Sequence, residues 1–316
     1  MSFYLVTGGA GFIGSHLTEE LIRRGEQVRV VDSLITGHRK NLAHVSGVDF
    51  LEGDLADLAM AKRAVQGVDY VLHQAAIPSV PRSVDDPITS NRANIDSTLN
   101  LLVAARDARV KRVVYAGSSS AYGNTPTLPK HEDMAPNPLS PYALQKLVGE
   151  QYMQMFTTLY GLETVTIRYF NVFGPRQDPS SPYSGVISVF ARALLENTAP
   201  TIYGDGEQTR DFTYVANVVD GVLRAVTAPG ASGQVVNVAT GSRISLNRLF
   251  TAMRDMIGSR VAVAYGPPRH GDVKDSQADI ARARTLLGYE PSVSFEAGLR
   301  KTIDWYREEA ATTTRP

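Results

Sequence analysis

The chain has 316 residues, 43% of them hydrophobic and 20% charged, with 32 Lys and Arg balanced by 32 Asp and Glu. This is a globular composition with room for one large domain or two interlocked ones, and it leaves no global positive field for nucleic acid or an anionic membrane. Cysteine is absent, which excludes disulfides, thiolate metal sites and a cysteine nucleophile.

The opening "MSFYLVTGG" enters an apolar strand at once, without a basic stretch followed by a long apolar one. No apolar run approaches the roughly 20 residues that span a bilayer, so a soluble, untargeted, cytoplasmic chain is expected. The strand ends in "TGGAGFIG", where Gly8, Gly11 and Gly14 enclose Phe12 and Ile13. Glycines at this spacing permit a tight turn, a close backbone approach to a pyrophosphate and close packing of the next helix. That helix closes at Gly25, and its N-terminus offers free N–H groups to an anion. A strand before the glycines and a helix after them is the context that makes this a dinucleotide site. The second strand ends at Asp32, whose carboxylate can accept from both ribose hydroxyls and would repel a 2′-phosphate, favouring NAD. Arg39 or Lys40 in "GHRK" could cover such a phosphate and keeps NADP open.

Further apolar runs, "VDFLEGD", "VDYVLHQAA" and "KRVVYAGS", alternate with helical stretches such as "LAMAKRAVQG" and "NIDSTLNLLVAARDA". The runs lack strict alternation, as strands buried on both faces do, so a parallel sheet of βαβ units is expected. The fold class read from this is α/β, a Rossmann-like doubly wound parallel sheet. After "TVTIRYFN" the texture turns rich in Pro, Gly and Ser, and "QVVNVAT" restores a sheet-like run near 234 to 240. The expected division is a dinucleotide domain of 1–170 plus about 212–240, and a smaller mixed α/β C-terminal substrate lobe of about 171–211 and 241–316.

"AGSSSAYG" places three serines, Ser118, Ser119 and Ser120, after a strand. Downstream, Ser140 is a helix cap, Pro141 suits the first helical position and Gly161 follows the last turn. Tyr142 and Lys146 then stand one turn apart on one face. A tyrosine base near neutrality needs its pKa brought down by roughly 3, worth about 4 kcal/mol. A neighbouring ammonium and an oxidised nicotinamide have the right sign of charge. Taken alone, such a pair is commonly a surface aromatic beside a solvated lysine.

Together the glycine loop, acid, hydroxyl turn and Tyr-x-x-x-Lys resemble the extended short-chain dehydrogenase/reductase superfamily. Within it the chain looks most like the UDP-sugar 4-epimerase and dehydratase group, through "TGGAGFIGSHL", "LHQAA", "SSSAYG", "SPYALQK", "RYFNVFGPRQ" and "GDGEQTRDFTYV". The resemblance implies that Ser118 bonds the sugar 4-OH, that Tyr142 is the general base, and that Lys146 binds the nicotinamide ribose while lowering the tyrosine pKa. It implies that Asp54 and Leu55 border the adenine, that Ala75, Ala76, Ile77 and Asn94 line the cofactor, and that Phe170 and Asn171 meet the nicotinamide and the substrate phosphates. Gly185, Val186, Thr201, Ile202, Tyr203, Arg210, Arg269 and Asp272 would hold the nucleoside diphosphate, the arginines through charge-assisted bonds.

Dehydratases of this group carry an acid pair or a glutamate directly after the serine or threonine. Here Ser119 and Ser120 stand there, and neither can act as a carboxylate acid or base. Reversible oxidation at C4 of a UDP-hexose is therefore expected, with NAD returned unchanged. Ser276 occupies the position where a bulky tyrosine excludes N-acetylated sugars in this family, so UDP-N-acetylglucosamine is expected beside UDP-glucose. Otherwise it is an ordinary cap. Arg82 either pairs with a 6-carboxylate, pointing to UDP-uronic acids, or stands solvated in a loop, as loop arginines commonly do. The six histidines show no metal-ligand spacing, and His73 reads as a core or strand-end residue. A net dehydrogenase, a decarboxylase and a non-catalytic NAD sensor are the competing classes. The family also implies a homodimer, with Leu99, Leu102 and Val103 or Leu147, Met153 and Phe156 as candidate face residues that core packing explains equally well.

Overall fold

The computed structural model describes residues 1–178, 185–268 and 273–313. Its first half is a run of strand-helix units: β1 (Phe3–Thr7), α1 (Phe12–Arg23), β2 (Gln27–Asp32), β3 (Val48–Glu52), α2 (Leu58–Ala64) and β4 (Tyr70–His73). Short helices α3 (Val80–Asp85) and α4 (Pro87–Asn91) lead to α5 (Ser97–Asp107), β5 (Arg112–Ser118), α6 (Pro141–Tyr160) and β6 (Glu163–Tyr169). After two short strands, β7 (Asn171–Phe173) and, beyond α7 (Val186–Leu195), β8 (Thr201–Tyr203), come β9 (Thr209–Arg210) and β10 (Phe212–Tyr214). Then follow α8 (Val215–Thr227), β11 (Gln234–Val238), β12 (Ile244–Ser245), α9 (Leu246–Ile257), β13 (Ala264–Gly266), α10 (Ala281–Leu287) and α11 (Phe295–Thr313).

Seven strands form one parallel sheet in the order β11-β6-β5-β4-β1-β2-β3. Strand alternation sends neighbouring side chains to opposite faces. Val6, Val30 and Val114 pack with Leu17 and Leu21 of α1 and Val218 and Val222 of α8, whereas Leu5, Val31 and Val113 pack with Ala61, Leu101, Met153 and Phe156 of α2, α5 and α6. Both faces are therefore covered, as a parallel sheet requires. Chain order reverses between β1 and β4, and in such sheets a crevice opens at the carboxyl ends of the strands there.

Residues outside this sheet build three two-stranded sheets, β10 with β7, β12 with β9 and β13 with β8. Because β10 pairs with β7, residues 212–214 go with the stretch after 170, and the chain rejoins the layers of the large sheet at α8. The buried carboxylate of Asp211 ties this region together, accepting from the Thr240 N–H at 3.0 Å and hydroxyl at 2.6 Å, from Gly241 N at 3.0 Å and from Ala278 N at 3.2 Å. Among the described residues no helix is long and apolar enough to cross a membrane.

Candidate active site

A cleft of about 860 Å³ runs along the carboxyl ends of the strands. One end is the glycine turn after β1. Gly8 sits at φ 64°, and a Cβ there would come within 2.8 Å of the Ala75 backbone; a Cβ on Gly14 would come within 2.2 Å of Gly8 O. Glycine is thus what closes this turn. Gly11 caps α1 without a side-chain acceptor, so first-turn N–H groups face the cleft. At the end of β2, Asp32 accepts from Ala10 N at 2.9 Å and from Leu34 N at 2.8 Å. Burial holds its pKa above the usual carboxylate range. The carboxylate therefore shapes the loop, and its remaining lone pairs can still accept from a ribose. Arg39 pairs with Glu52 at 2.7 Å and Lys40 with Glu309 at 3.0 Å. Neither lines the cleft.

The lining also includes Phe12, Ile13, Asp54, Leu55, Ala75, Ala76, Ile77, Phe170 and Asn171. Asn94 stands behind this wall on a π-helical turn, accepting from Ile77 N at 2.8 Å and donating to Gln145 Oε1 at 2.8 Å. It supports the 75–77 segment rather than lining the cleft.

At the other end β5 delivers the hydroxyl turn and α6 delivers the pair. Ser140 Oγ accepts from Ala143 N at 3.2 Å, Pro141 opens the helix and Gly161 ends it at φ 70°. Tyr142 and Lys146 both line the cleft with Ser118, Ser119 and Ser120. Tyr142 and Ser118 face the same part of the cleft, and Ser118 Oγ accepts from the Ser120 hydroxyl at 2.8 Å and N–H at 3.2 Å. Ser120 therefore orients Ser118, a part not expected from its lack of acidity. Lys146 Nζ donates to Ala116 O at 2.9 Å and lies 4.9 Å from the Tyr115 ring centroid. Burial lowers its pKa to about 7. Burial also pushes the Tyr142 phenol up to about 12, against the pull of the Ser118 hydroxyl. The expected lowering of the tyrosine by the ammonium is not among the causes acting on it here, and Lys146 is turned toward a backbone carbonyl. Helix α6 is held in place by a buried bidentate pair, Arg168 to Glu150 at 2.8 and 2.6 Å.

Several expected residues fall elsewhere. Ile202 is buried in the core and is 1% exposed, while Thr201 and Tyr203 point outward from β8; none of the three lines the cleft. Val186 starts α7 beside the lining, to which only its neighbour Gly185 belongs. Arg269 and Asp272 lie outside the described residues. Arg210 and Ser276 do line the cleft. So does Arg82, which is half-buried in α3 and not in an exposed loop, its N–H capped by Ser79 Oγ at 3.2 Å. His73 is a satisfied core residue between Thr7 Oγ1 at 2.7 Å and Thr98 Oγ1 at 3.0 Å, its pKa lowered to about 3 by burial. Among the described residues no group of three or more His, Asp or Glu could hold a metal.

The lining includes residues that sequence reasoning missed. Lys130 is buried and donates to Thr125 O, and it reaches the cleft because its backbone pairs with Gln277 and Asp279. Tyr169 donates to Gln74 Oε1 at 2.9 Å. Nothing local in the sequence marks either.

A family model described as "NAD dependent epimerase/dehydratase family" matches residues 4–239. A UDP-glucose 4-epimerase of Mycolicibacterium smegmatis is 40% identical over 97% of this chain and 99% of its own. Among solved structures, a UDP-N-acetylglucosamine 4-epimerase from Methanobrevibacter ruminantium, in complex with UDP-N-acetylmuramic acid, is 40% identical with TM-score 0.93, covering 98% of this chain and 99% of that one. A Thermus thermophilus UDP-glucose 4-epimerase in complex with NAD is 37% identical with TM-score 0.88, covering 96% and 99%. The glycine turn, the uncapped helix start and Asp32, which lines the cleft with lone pairs to spare, fit that dinucleotide. With its parallel sheet, its cleft and these likenesses over nearly its whole length, the chain belongs to the NAD dependent epimerase/dehydratase family.

Proposed function

We propose that the protein is a redox-neutral UDP-sugar 4-epimerase. The observation that carries this reading is the Tyr142–Ser118–Ser120 hydroxyl cluster beside Lys146, with no carboxylate among its members. Ser118 would bond the 4-OH and Tyr142, once ionised, would take its proton as the C4–H leaves as hydride, giving a 4-keto sugar; the resulting phenol would return the proton once the sugar has turned over. Bound NAD supplies a hydride acceptor, the returned hydride and one positive charge. The residues that would hold it are Gly8, Gly11, Phe12, Ile13, Gly14, Asp32, Asp54, Leu55, the 75–77 wall, Tyr142, Lys146 and Phe170. The acid pair or glutamate expected of a dehydratase at this turn is replaced by Ser119 and Ser120, which offer no carboxyl group. Incubating the protein with UDP-glucose or UDP-N-acetylglucosamine should give product with flat absorbance at the reduced-dinucleotide band. Reduced dinucleotide accumulating with sugar consumed would indicate a dehydrogenase.

The proposed sugar pocket is bounded by Ser276, a small side chain on the cleft wall, which supports entry of an N-acetylated sugar. Ser276→Tyr should cost most of the activity on UDP-N-acetylglucosamine, about 10-fold or more by the usual effect of misfit in a packed pocket, and leave UDP-glucose turnover largely intact. An unchanged ratio between the two substrates would reject this assignment. Arg82 on the same cleft supports a second reading, a UDP-uronic acid whose carboxylate it would pair with.

For the homodimer, most of the candidate face residues belong to the core: Leu102, Met153, Phe156 and Leu147 are all buried. Leu144, Met155 and Leu159 of α6 are instead half or more exposed and share one helical face with Val148 and Tyr152. This stripe is the proposed contact, and sedimentation equilibrium should give twice the 34.3 kDa chain mass.

A further inference from the structure

We propose that Arg176 is a positioning residue that clasps the helix of the dinucleotide site to the opposite lip of the cleft, and thereby sets how firmly the chain holds NAD. The proposal rests on the NAD site described above. Arg176 belongs to "RYFNVFGPRQ", none of whose assigned roles involve it. Its backbone sits at φ 67°, a region a non-glycine residue seldom holds without compensation. Its side chain is turned inward and only 10% exposed.

There the guanidinium reaches two separate elements. Nη2 donates to Glu19 Oε2 at 2.5 Å and to His16 Nδ1 at 2.5 Å, both on α1. Nη1 donates to Asn41 O at 3.3 Å in the turn after β2, with His44 Nε2 at 3.4 Å. His16 Nε2 in turn meets Pro175 O at 3.0 Å, which assigns the ring proton to Nε2 and leaves Nδ1 as an acceptor. Burial and the guanidinium hold the His16 pKa down to about 4, so this neutral form persists at working pH. The same loop is tied to α11, where the Tyr306 hydroxyl donates to Gln177 O at 2.7 Å.

What the clasp joins is the cleft itself. Gln177 and Asp178 line it on the loop side, Gly11 and Phe12 on the α1 side, and His38 Nε2 lies 3.3 Å from Asp178 Oδ2 between them. Arg176 does not line the cleft, so it acts through the two walls it holds. A rigid fork with five donors suits this task, whereas a lysine offers a point charge on a flexible stem.

The test compares wild type with Arg176→Met, Arg176→Lys and Glu19→Gln, all as full chains. Two quantities are read: NAD retained through gel filtration, and the rise in thermal midpoint when NAD is added. Loss of charge-assisted bonds at the clasp should weaken NAD binding ~10-fold in Arg176→Met, shrink the NAD-dependent rise, and raise the NAD needed for half activity more than it lowers kcat. Glu19→Gln and Arg176→Lys should move the same way by less, and they decide the matter if Arg176→Met does not fold. Variants that keep NAD as wild type does, with an equal NAD-dependent rise, overturn the clasp even if their NAD-free midpoint falls. Wild type that takes up no NAD contradicts the cofactor reading and the clasp with it.

Discussion

Tyr142→Phe should lower epimerisation by ~10³-fold or more while NAD stays bound, the upper range for loss of a general acid or base. The substitution keeps the ring, and the anchor of the backbone N–H to Ser83 Oγ at 3.0 Å does not depend on the phenol. It removes the phenol oxygen and nothing else in the cleft. The buried phenol sits at about 12, so as described it is a poor base near neutrality; it becomes one where positive charge is placed against it. Activity should therefore rise with pH across the neutral range in wild type. A Phe variant with wild-type turnover would remove Tyr142 from the chemistry; one that has also lost NAD would mean the tyrosine is chiefly a cofactor contact.

Lys146→Met carries the second large effect, about 10²-fold or more in kcat, together with a change in how stability depends on pH. Burial lowers the ammonium from its ordinary 10.5 to about 7. Between those values the unfolded chain binds more protons at this site than the folded one, so this group makes stability rise with pH from about 7 toward 10.5. Below about 7 both forms are charged and the folded form carries the whole burial cost. Bound NAD would change the charge and solvation around Lys146 and so shift that window, and the comparison therefore belongs to NAD-free protein. Denaturant unfolding at several pH values from 7 to 9 should show a shallower rise in Lys146→Met than in wild type. This range stays below the alkaline region where buried tyrosines such as Tyr142, raised to about 12, oppose the trend. Equal slopes in the two proteins would mean the ammonium is not penalised as the geometry implies.

Legibility in the sequence followed the range of the interactions. The glycine turn is local, and the spacing of Gly8, Gly11 and Gly14 is readable because backbone clashes within a few residues dictate it. Helix α6 was equally plain, since its cap, its proline and its terminal Gly161 are all adjacent in the chain. The helix holding Arg82 carries the same kind of signal, Ser79 as cap and Pro81 in the first turn. Other features arise only when distant segments meet. Lys130 joins the cleft through pairing with 277–279, and Arg176 meets Glu19 and His16 from far along the chain. Ile202 illustrates a different gap: a family span marks which strand matters, but alternation decides which side chain faces inward. Helical periodicity likewise marks both the buried and the exposed apolar face of α6, and only burial separates Met153 from Met155.

The most direct measurement is NMR of UDP-N-acetylglucosamine, UDP-glucose and UDP-glucuronate after incubation with the purified protein and no added cofactor. A mixture of C4 epimers from at least one of them, with no net dinucleotide reduction, is the predicted result. A 4-keto-6-deoxy sugar or a decarboxylated pentose as the product would contradict it.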